Sequence, residues 1–320
     1  MYERLLLASD GSDLAVSAMR HAAALARVMG SEVVAMRVSH AAGEASGSLT
    51  PEAWTRLIAA GGVEQPGEAG AEAYPPLSLT AAALRESGVD RVGTLVVRGE
   101  PGPVIIEAAT RLRADAIVMA THGLRGIRRA VLGSVADHVA RNSPGISVLL
   151  CPPLPGEVQP SINRIMVALD GSPLSEALLP HAEEIARGSG ASVVLLRVID
   201  SAFEILSMTT PAGYPVPARL TQEAAETVVQ AQRTTAEEQL SAHAAHLEAA
   251  GVGSVSTEVV EGDPGPAIIA TATDLHCDLV LLATHGRGGL GRALLGSVTD
   301  YVTRHLTSAP VLIVSPGRKS

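Results

Sequence analysis

The residues with the clearest chemical potential are Ala120-Thr121-His122-Gly123, nine residues, then Gly133-Ser134-Val135. The same arrangement returns as Ala283-Thr284-His285-Gly286, nine residues, then Gly296-Ser297-Val298. Each run leaves the end of an apolar strand and finishes where a helix begins. Glycines let backbone come close to a ligand, and a helix N-terminus offers unpaired N–H groups with a favourable dipole. The chemistry suggested is an anion cradle, and the intervening Arg125, Arg128, Arg129, Arg287 and Arg292 would welcome a polyphosphate. The plainer reading is that the glycines only serve the turn, but a turn written twice with Gly-Ser kept favours the cradle. Asp10 and Asp170 each end a first strand, and ligands of open α/β sheets bind beyond the strand carboxyl ends where strand order reverses. A carboxylate there could accept hydrogen bonds from ribose hydroxyls, or simply sit at a helix N-terminus.

These residues are positioned by a repeat. Residues 4–40 align without a gap to 164–200, and residues 99–153 align to 262–316 with 27 of 55 positions identical, so the chain is one domain written twice. The middle segments, 41–98 and 201–261, share almost nothing. Domain limits are expected at 1–152 and 162–320, with 153–161 as a proline-rich, stiff linker. In each copy LLLAS or IMVAL is a run suited to a strand buried on both faces, and an amphipathic helix follows Gly-Ser. Ser172 is the expected N-cap before Pro173, and Gly30 and Gly190 are the expected helix stops. Further strands are expected at 33–38, 115–120 and 146–151, with partners at 193–198, 278–283 and 310–314. Helices are expected at 103–113, 134–142, 266–276 and 297–305. Such alternation implies α/β architecture with a parallel, doubly wound sheet in each half. A long helix is expected over roughly 218–250. Copy one offers only a short helix and a loose insertion around Trp54 and 61–76.

Composition narrows the class. Of 320 residues, 47% are hydrophobic and 18% charged, which suits two packed cores and excludes disorder and collagen. No apolar run approaches the ~18 residues of a membrane span. The net charge of −9 disfavours nucleic acid or an anionic membrane as partner. Two cysteines, Cys151 and Cys277, cannot build a disulfide framework, so a cytoplasmic setting is expected. GRGGLG at 286–291 matches G-x-G-x-x-G by letter, but it follows a fourth strand and lacks the downstream acid of a dinucleotide site. No Walker A sequence, no metal-ligand spacing and no nucleophile paired with a base is present, and His122 and His285 read as turn residues.

The pattern G-x2-G-x9-G-[ST], the D-G-S after strand one and the G-x-P-x-x-x-I after strand three resemble the universal stress protein family (UspA domains) over nearly the whole chain, twice. The resemblance implies two tandem five-stranded Rossmann-like sheets of order 3-2-1-4-5, related to adenine nucleotide α-hydrolases. It also implies ATP or AMP as ligand, with Mg2+ as a candidate companion, and a nucleotide-dependent regulatory role in stress response. The alternative implied is a slow ATP-hydrolysing or nucleotidyl-transfer enzyme. Carried over by position, Asp10 and Asp170 meet the nucleoside. Val38 and Val198 line the adenine pocket with Ala8 and Ala168. Gly123, Gly133 and Ser134, with Gly286, Gly296 and Ser297, hold phosphates, the serine through hydroxyl and backbone N–H, and Ala120, Val135, Ala283 and Val298 complete the implied nucleotide-binding set. The departure is Ala120 and Ala283 in place of the first glycine, tolerable unless φ must be positive. Copy one departs further at Leu124-Arg125, where copy two has Arg287-Gly288, so copy two is the preferred site. The family's habit of pairing through last strands implies an intramolecular pseudo-dimer that covers two sheet edges; whether two chains also pair is left open.

Overall fold

The computed structural model describes residues 1–39, 75–121, 132–154, 156, 158–209, 218–284 and 295–315. The first half contains β1 (Arg4–Ala8), α1 (Asp13–Met29), β2 (Glu32–Ser39), α2 (Pro75–Glu86) and β3 (Val92–Arg98). It continues with α3 (Pro101–Leu112), β4 (Ala116–Ala120), α4 (Ser134–Asn142) and β5 (Ser147–Cys151). The second half contains β6 (Arg164–Ala168), α5 (Pro173–Glu176), α6 (Leu179–Ser189), β7 (Ser192–Ile199), α7 (Ala202–Thr209) and α8 (Ala218–Ala249). It closes with β8 (Val255–Glu261), α9 (Pro264–Asp274), β9 (Leu279–Ala283), α10 (Ser297–His305) and β10 (Val311–Val314).

The apolar runs become strands because both faces of the sheet are covered. Leu5 and Leu7 enter one core layer while Leu6 enters the other, and Ile165, Met166 and Val167 alternate in the same way. The strand order is β3-β2-β1-β4-β5-β10-β9-β6-β7-β8, so each half has order 3-2-1-4-5 and strand order reverses between β1 and β4, and between β6 and β9. Within a half every pairing is parallel. Between halves β5 and β10 run antiparallel, with Leu149 opposite Leu312. The two last strands therefore join into one ten-stranded sheet, and two edges that would otherwise stay open are paired.

Helix boundaries follow local chemistry. Ser12 accepts a hydrogen bond from the Ala15 N–H at the start of α1, and Gly30 ends it in the left-handed region at φ 63°. Ala18, Ala22, Ala23 and Ala26 face the sheet, and all are buried; small side chains bring this helix close. The expectation of one continuous helix in each copy is corrected in the second half. There α5 stops at Glu176 and α6 restarts at Leu179. Pro180 supplies the reason, since it has no N–H to bond residue 176 and its ring crowds that carbonyl. The long helix at 218–249 forms as expected. Copy one has a 12-residue helix, α2, before β3. The insertion around Trp54 lies outside the described residues. The linker rests on α1, where Ser17 donates to the Pro152 carbonyl and Arg20 to the Gly156 carbonyl.

The seam has a second layer on each face. On one face Arg141 of α4 bonds Asp137 at 3.0 Å and also Asp300 of α10, while Arg304 of α10 bonds Asp300 at 2.8 Å and Asp137 at 3.1 Å. On the other face α1 packs against α6, where a Cβ on Gly188 would lie 2.9 Å from the Val28 carbonyl oxygen. The two copies differ here. Tyr2 Oη lies 2.6 Å from His181 Nδ1, but the residue matching Tyr2 in the second copy is Ile162. His21, the match of His181, has its Nε2 buried with no hydrogen-bond partner among the described residues, beside a small cavity lined by Leu149, Ile162 and Asp278.

Burial pushes His21 down to about 4. An unfolded chain takes up this proton near pH 6.5, whereas the folded chain refuses it until about pH 4. His21 thus costs no stability above pH 6.5 and destabilises progressively as pH falls through that window, by about 3 kcal/mol in all. His21→Leu is expected to flatten the dependence of unfolding free energy on pH between 6.5 and 4, measured by urea denaturation. An unchanged slope would mean that the buried imidazole does not govern acid sensitivity.

Candidate functional site

Both switch points are built alike. Beyond β1 the chain turns at Asp10-Gly11-Ser12, with Gly11 at φ 77°; beyond β6 it turns at Asp170-Gly171-Ser172, with Gly171 at φ 74°. Both glycines sit in the left-handed region, where a side chain would be strained. Asp10 Oδ1 accepts from the Ser12 N–H at 3.0 Å and from Ser12 Oγ at 2.6 Å. Asp170 Oδ1 does the same with Ser172, at 2.9 Å for the N–H. In both cases the serine also caps the following helix, so the carboxylate is tied to a rigid element.

Burial works to raise the Asp170 carboxyl, but hydrogen bonds from Ser172 and Ser175 and the charge of Arg197 outweigh it, and the group lies below the usual carboxylate range. Asp170 is ionised at neutral pH, an acceptor suited to hydroxyl groups. Arg197 was not singled out from sequence. A Cβ on Gly171 would sit 2.3 Å from its Nη1, so the guanidinium lies directly against the D-G-S turn. Burial lowers the Arg197 pKa and Asp170 partly restores it. Arg37 holds the corresponding place on β2, paired in register with Val96 as Arg197 is with Val259. The signal was legible as an arginine before Val38 and before Val198 in both copies, on a strand otherwise apolar from Val193 to Ile199.

Across the crevice, β4 ends at Ala120 and β9 at Ala283. The Thr121 N–H bonds the Cys151 carbonyl at 3.0 Å, and the Gly133 N–H returns to the Thr121 carbonyl at 2.8 Å, which closes the base of the loop. In the second half the Thr284 N–H bonds the Val314 carbonyl, and Thr299 Oγ1 donates to the Ala283 carbonyl at 3.0 Å. Helices α4 and α10 open at Gly133 and Gly296, neither of which can supply a side-chain cap. The first helical bonds run from Asp137 to Gly133 and from Asp300 to Gly296. The N–H groups of residues 134–136 and 297–299 precede the helical ladder, and the positive end of the dipole lies there. Ser134 and Ser297 are exposed at these ends.

The structure thus brings Asp10, Gly133 and Ser134 to one end of the first half, and Asp170, Gly296 and Ser297 to one end of the second. Ala8, Val38 and Val135 pack on a single face of the sheet, as do Ala168, Val198 and Val298. Ala120 and Ala283 pack on the opposite face, and neither has a positive φ. Alanine at the first glycine position therefore packs on the sheet face opposite Val135 and Val298 and needs no glycine backbone. Gly123, Gly286, His122, His285 and the loop arginines lie outside the described residues. Among the described residues no three His, Cys, Asp or Glu side chains gather as metal ligands, and Cys151 and Cys277 are buried thiols.

A doubly wound α/β half, repeated and joined edge to edge, with a glycine-opened helix and an aspartate at the strand carboxyl ends of each copy, defines a tandem α/β protein. The chain belongs to the universal stress protein family, whose model matches residues 1–152 and 161–315. It is 34% identical over 143 residues to a universal stress protein of Methanocaldococcus jannaschii, covering 45% of this chain and 78% of that protein. It is 30% identical over 152 residues to one from Synechocystis, covering 48% of this chain and 97% of that protein. Its fold is similar to the crystal structure of a universal stress protein from Archaeoglobus fulgidus, with TM-score 0.65, 19% identity and coverage of 99% and 100% of the two chains. A putative universal stress protein from Pseudomonas aeruginosa is similar too, with TM-score 0.57, 19% identity and coverage of 98% and 93%. No helix among the described residues is long and apolar enough to cross a membrane.

Proposed function

We propose that this protein binds an adenine nucleotide, ATP or AMP, in the crevice of each half, the second half preferentially, and serves as a nucleotide-dependent binding protein in stress response. The observation that carries this reading is the doubled pairing of an uncapped, glycine-opened helix end with an aspartate held at the neighbouring strand end. The aspartate takes ribose hydroxyls, and the N–H groups of Ser297 and Val298, with the Ser297 hydroxyl, take phosphate oxygens. Ala168 and Val198 offer adenine an aliphatic bed. The first half repeats this with Ala8, Asp10, Val38, Ser134 and Val135. Mg2+ would enter with the polyphosphate and offset its charge. In this reading the domains span 1–152 and 162–320, joined by 153–161, in a reducing cytoplasm that keeps both cysteines as thiols.

The test is the small-molecule content of purified protein. Denatured and examined by mass spectrometry, the chain is expected to release ATP or AMP. Release of a different cofactor class would overturn the reading. Steady turnover of ATP at ~1 s⁻¹ or faster would replace the binding protein with an enzyme.

A further inference from the structure

Helices α3 and α9 open with Pro-Gly-Pro in both copies, and the central glycines, Gly102 and Gly265, have a structural cause other than backbone conformation. A Cβ on Gly265 would fall 2.6 Å from Cδ1 and 3.0 Å from Cγ of Tyr301. A Cβ on Gly102 would fall 2.5 Å from Cδ2 and 2.9 Å from Cγ of His138. Neither glycine has a positive φ, so the missing side chain makes room for a ring. Tyr301 and His138 are the fifth residues of α10 and α4, one turn beyond Ser297 and Ser134 and on the same helix face. The Tyr301 ring, 39% exposed, stacks on His305 with centroids 4.2 Å apart and planes 23° from parallel. The start of α9 is fixed as well, by the Asp263 cap bonding the Gly265 N–H.

We infer that Gly102 and Gly265 are positioning residues for the phosphate end of the ligand, acting through the rings of His138 and Tyr301. This rests on the nucleotide reading above. The ring against a bare glycine backbone sets how near the first turn of α10 comes to the strand ends. Any side chain at residue 265 pushes that turn outward and carries the Ser297 and Val298 N–H groups with it. The nucleoside contacts come from β6, β7 and the D-G-S turn, which lie outside this helix pair. A substitution at residue 265 therefore weakens phosphate binding selectively.

The experiment titrates the full chain with ATP and with adenosine by calorimetry, in the wild type and with Gly102→Ala and Gly265→Ala introduced together. The expected result is a roughly ten-fold loss of ATP affinity, the value of one charge-assisted hydrogen bond to phosphate, with adenosine affinity unchanged within about two-fold. The same two alanines are then placed in a chain carrying His138→Ala and Tyr301→Ala. With the rings gone they should alter ATP affinity by less than about two-fold, a coupling that general destabilisation does not produce. Equal losses for ATP and adenosine, or no rescue on removing the rings, would overturn this inference while the nucleotide reading stands. A wild-type chain that binds neither ligand overturns the nucleotide reading and this inference together.

Discussion

Gly296→Leu is expected to weaken ATP binding in the second half roughly 100-fold, about 2.8 kcal/mol. Gly296 is buried at the mouth of α10, with φ −59° and ψ 149°. Any residue adopts that backbone, so the substitution leaves the helix able to form and acts through volume. The leucine side chain has to occupy the crevice or displace the first turn, and either removes hydrogen bonds from Ser297 and Val298 to a phosphate. Two charge-assisted bonds at about 1.5 kcal/mol each account for the magnitude. Ser297→Ala removes one hydroxyl and keeps the N–H groups, so its loss is smaller. Equilibrium titration checks both variants, and Gly133→Leu reports on the first half in the same way. ATP affinity unchanged in Gly296→Leu would place the ligand away from the helix end.

The second large effect belongs to the seam. Leu312 has no exposed surface and stands between Leu149 of the first half and Leu281 of its own half. Leu312→Asp puts a carboxylate among aliphatic side chains with no cation in register, and the expected loss is about 4 kcal/mol or more. The ion pairs on the sheet face cannot compensate. Their side chains are 25% to 31% exposed, and pairs so placed contribute ~1 kcal/mol or less each. Asp300→Ala leaves Arg141 and Arg304 with Asp137 and should cost far less than Leu312→Asp. Denaturant unfolding of the two variants ranks these terms. If Asp300→Ala were the more damaging, the charge cluster rather than the paired strands would hold the halves together.

The fold was legible in the sequence where the physics is local. Buried parallel strands need continuous apolar runs, so Leu5–Leu7 and Ile165–Val167 announce themselves, and Ser12, Ser172, Gly30 and Gly190 mark helix ends through their own backbone and side-chain chemistry. The broken helix in the second half was equally local, since Pro180 forbids the bond that continuity requires, yet the gapless alignment with α1 hid it. Helix α7 was missed because it is eight residues long, with a single polar cap, Ser201, bonded to Glu204. The site was legible in part. Gly-Ser at a helix start and Asp at a strand end are short patterns with a direct meaning. Arg197 against Gly171, Tyr301 against Gly265 and the unpartnered His21 beside Ile162 join segments 26 to 141 residues apart. Such contacts depend on how finished elements pack, and no spacing rule encodes them. The methyl direction of Ala120 and Ala283 belongs with these, because only the sheet decides which face a strand's last residue takes.

The central claim is tested most directly by titrating the full chain with ATP in a calorimeter, with GTP as the control for base recognition. Saturable binding of ATP, with an affinity that falls in Gly296→Leu, is the predicted result. No heat of binding from ATP or AMP at millimolar concentration in the wild type would contradict it.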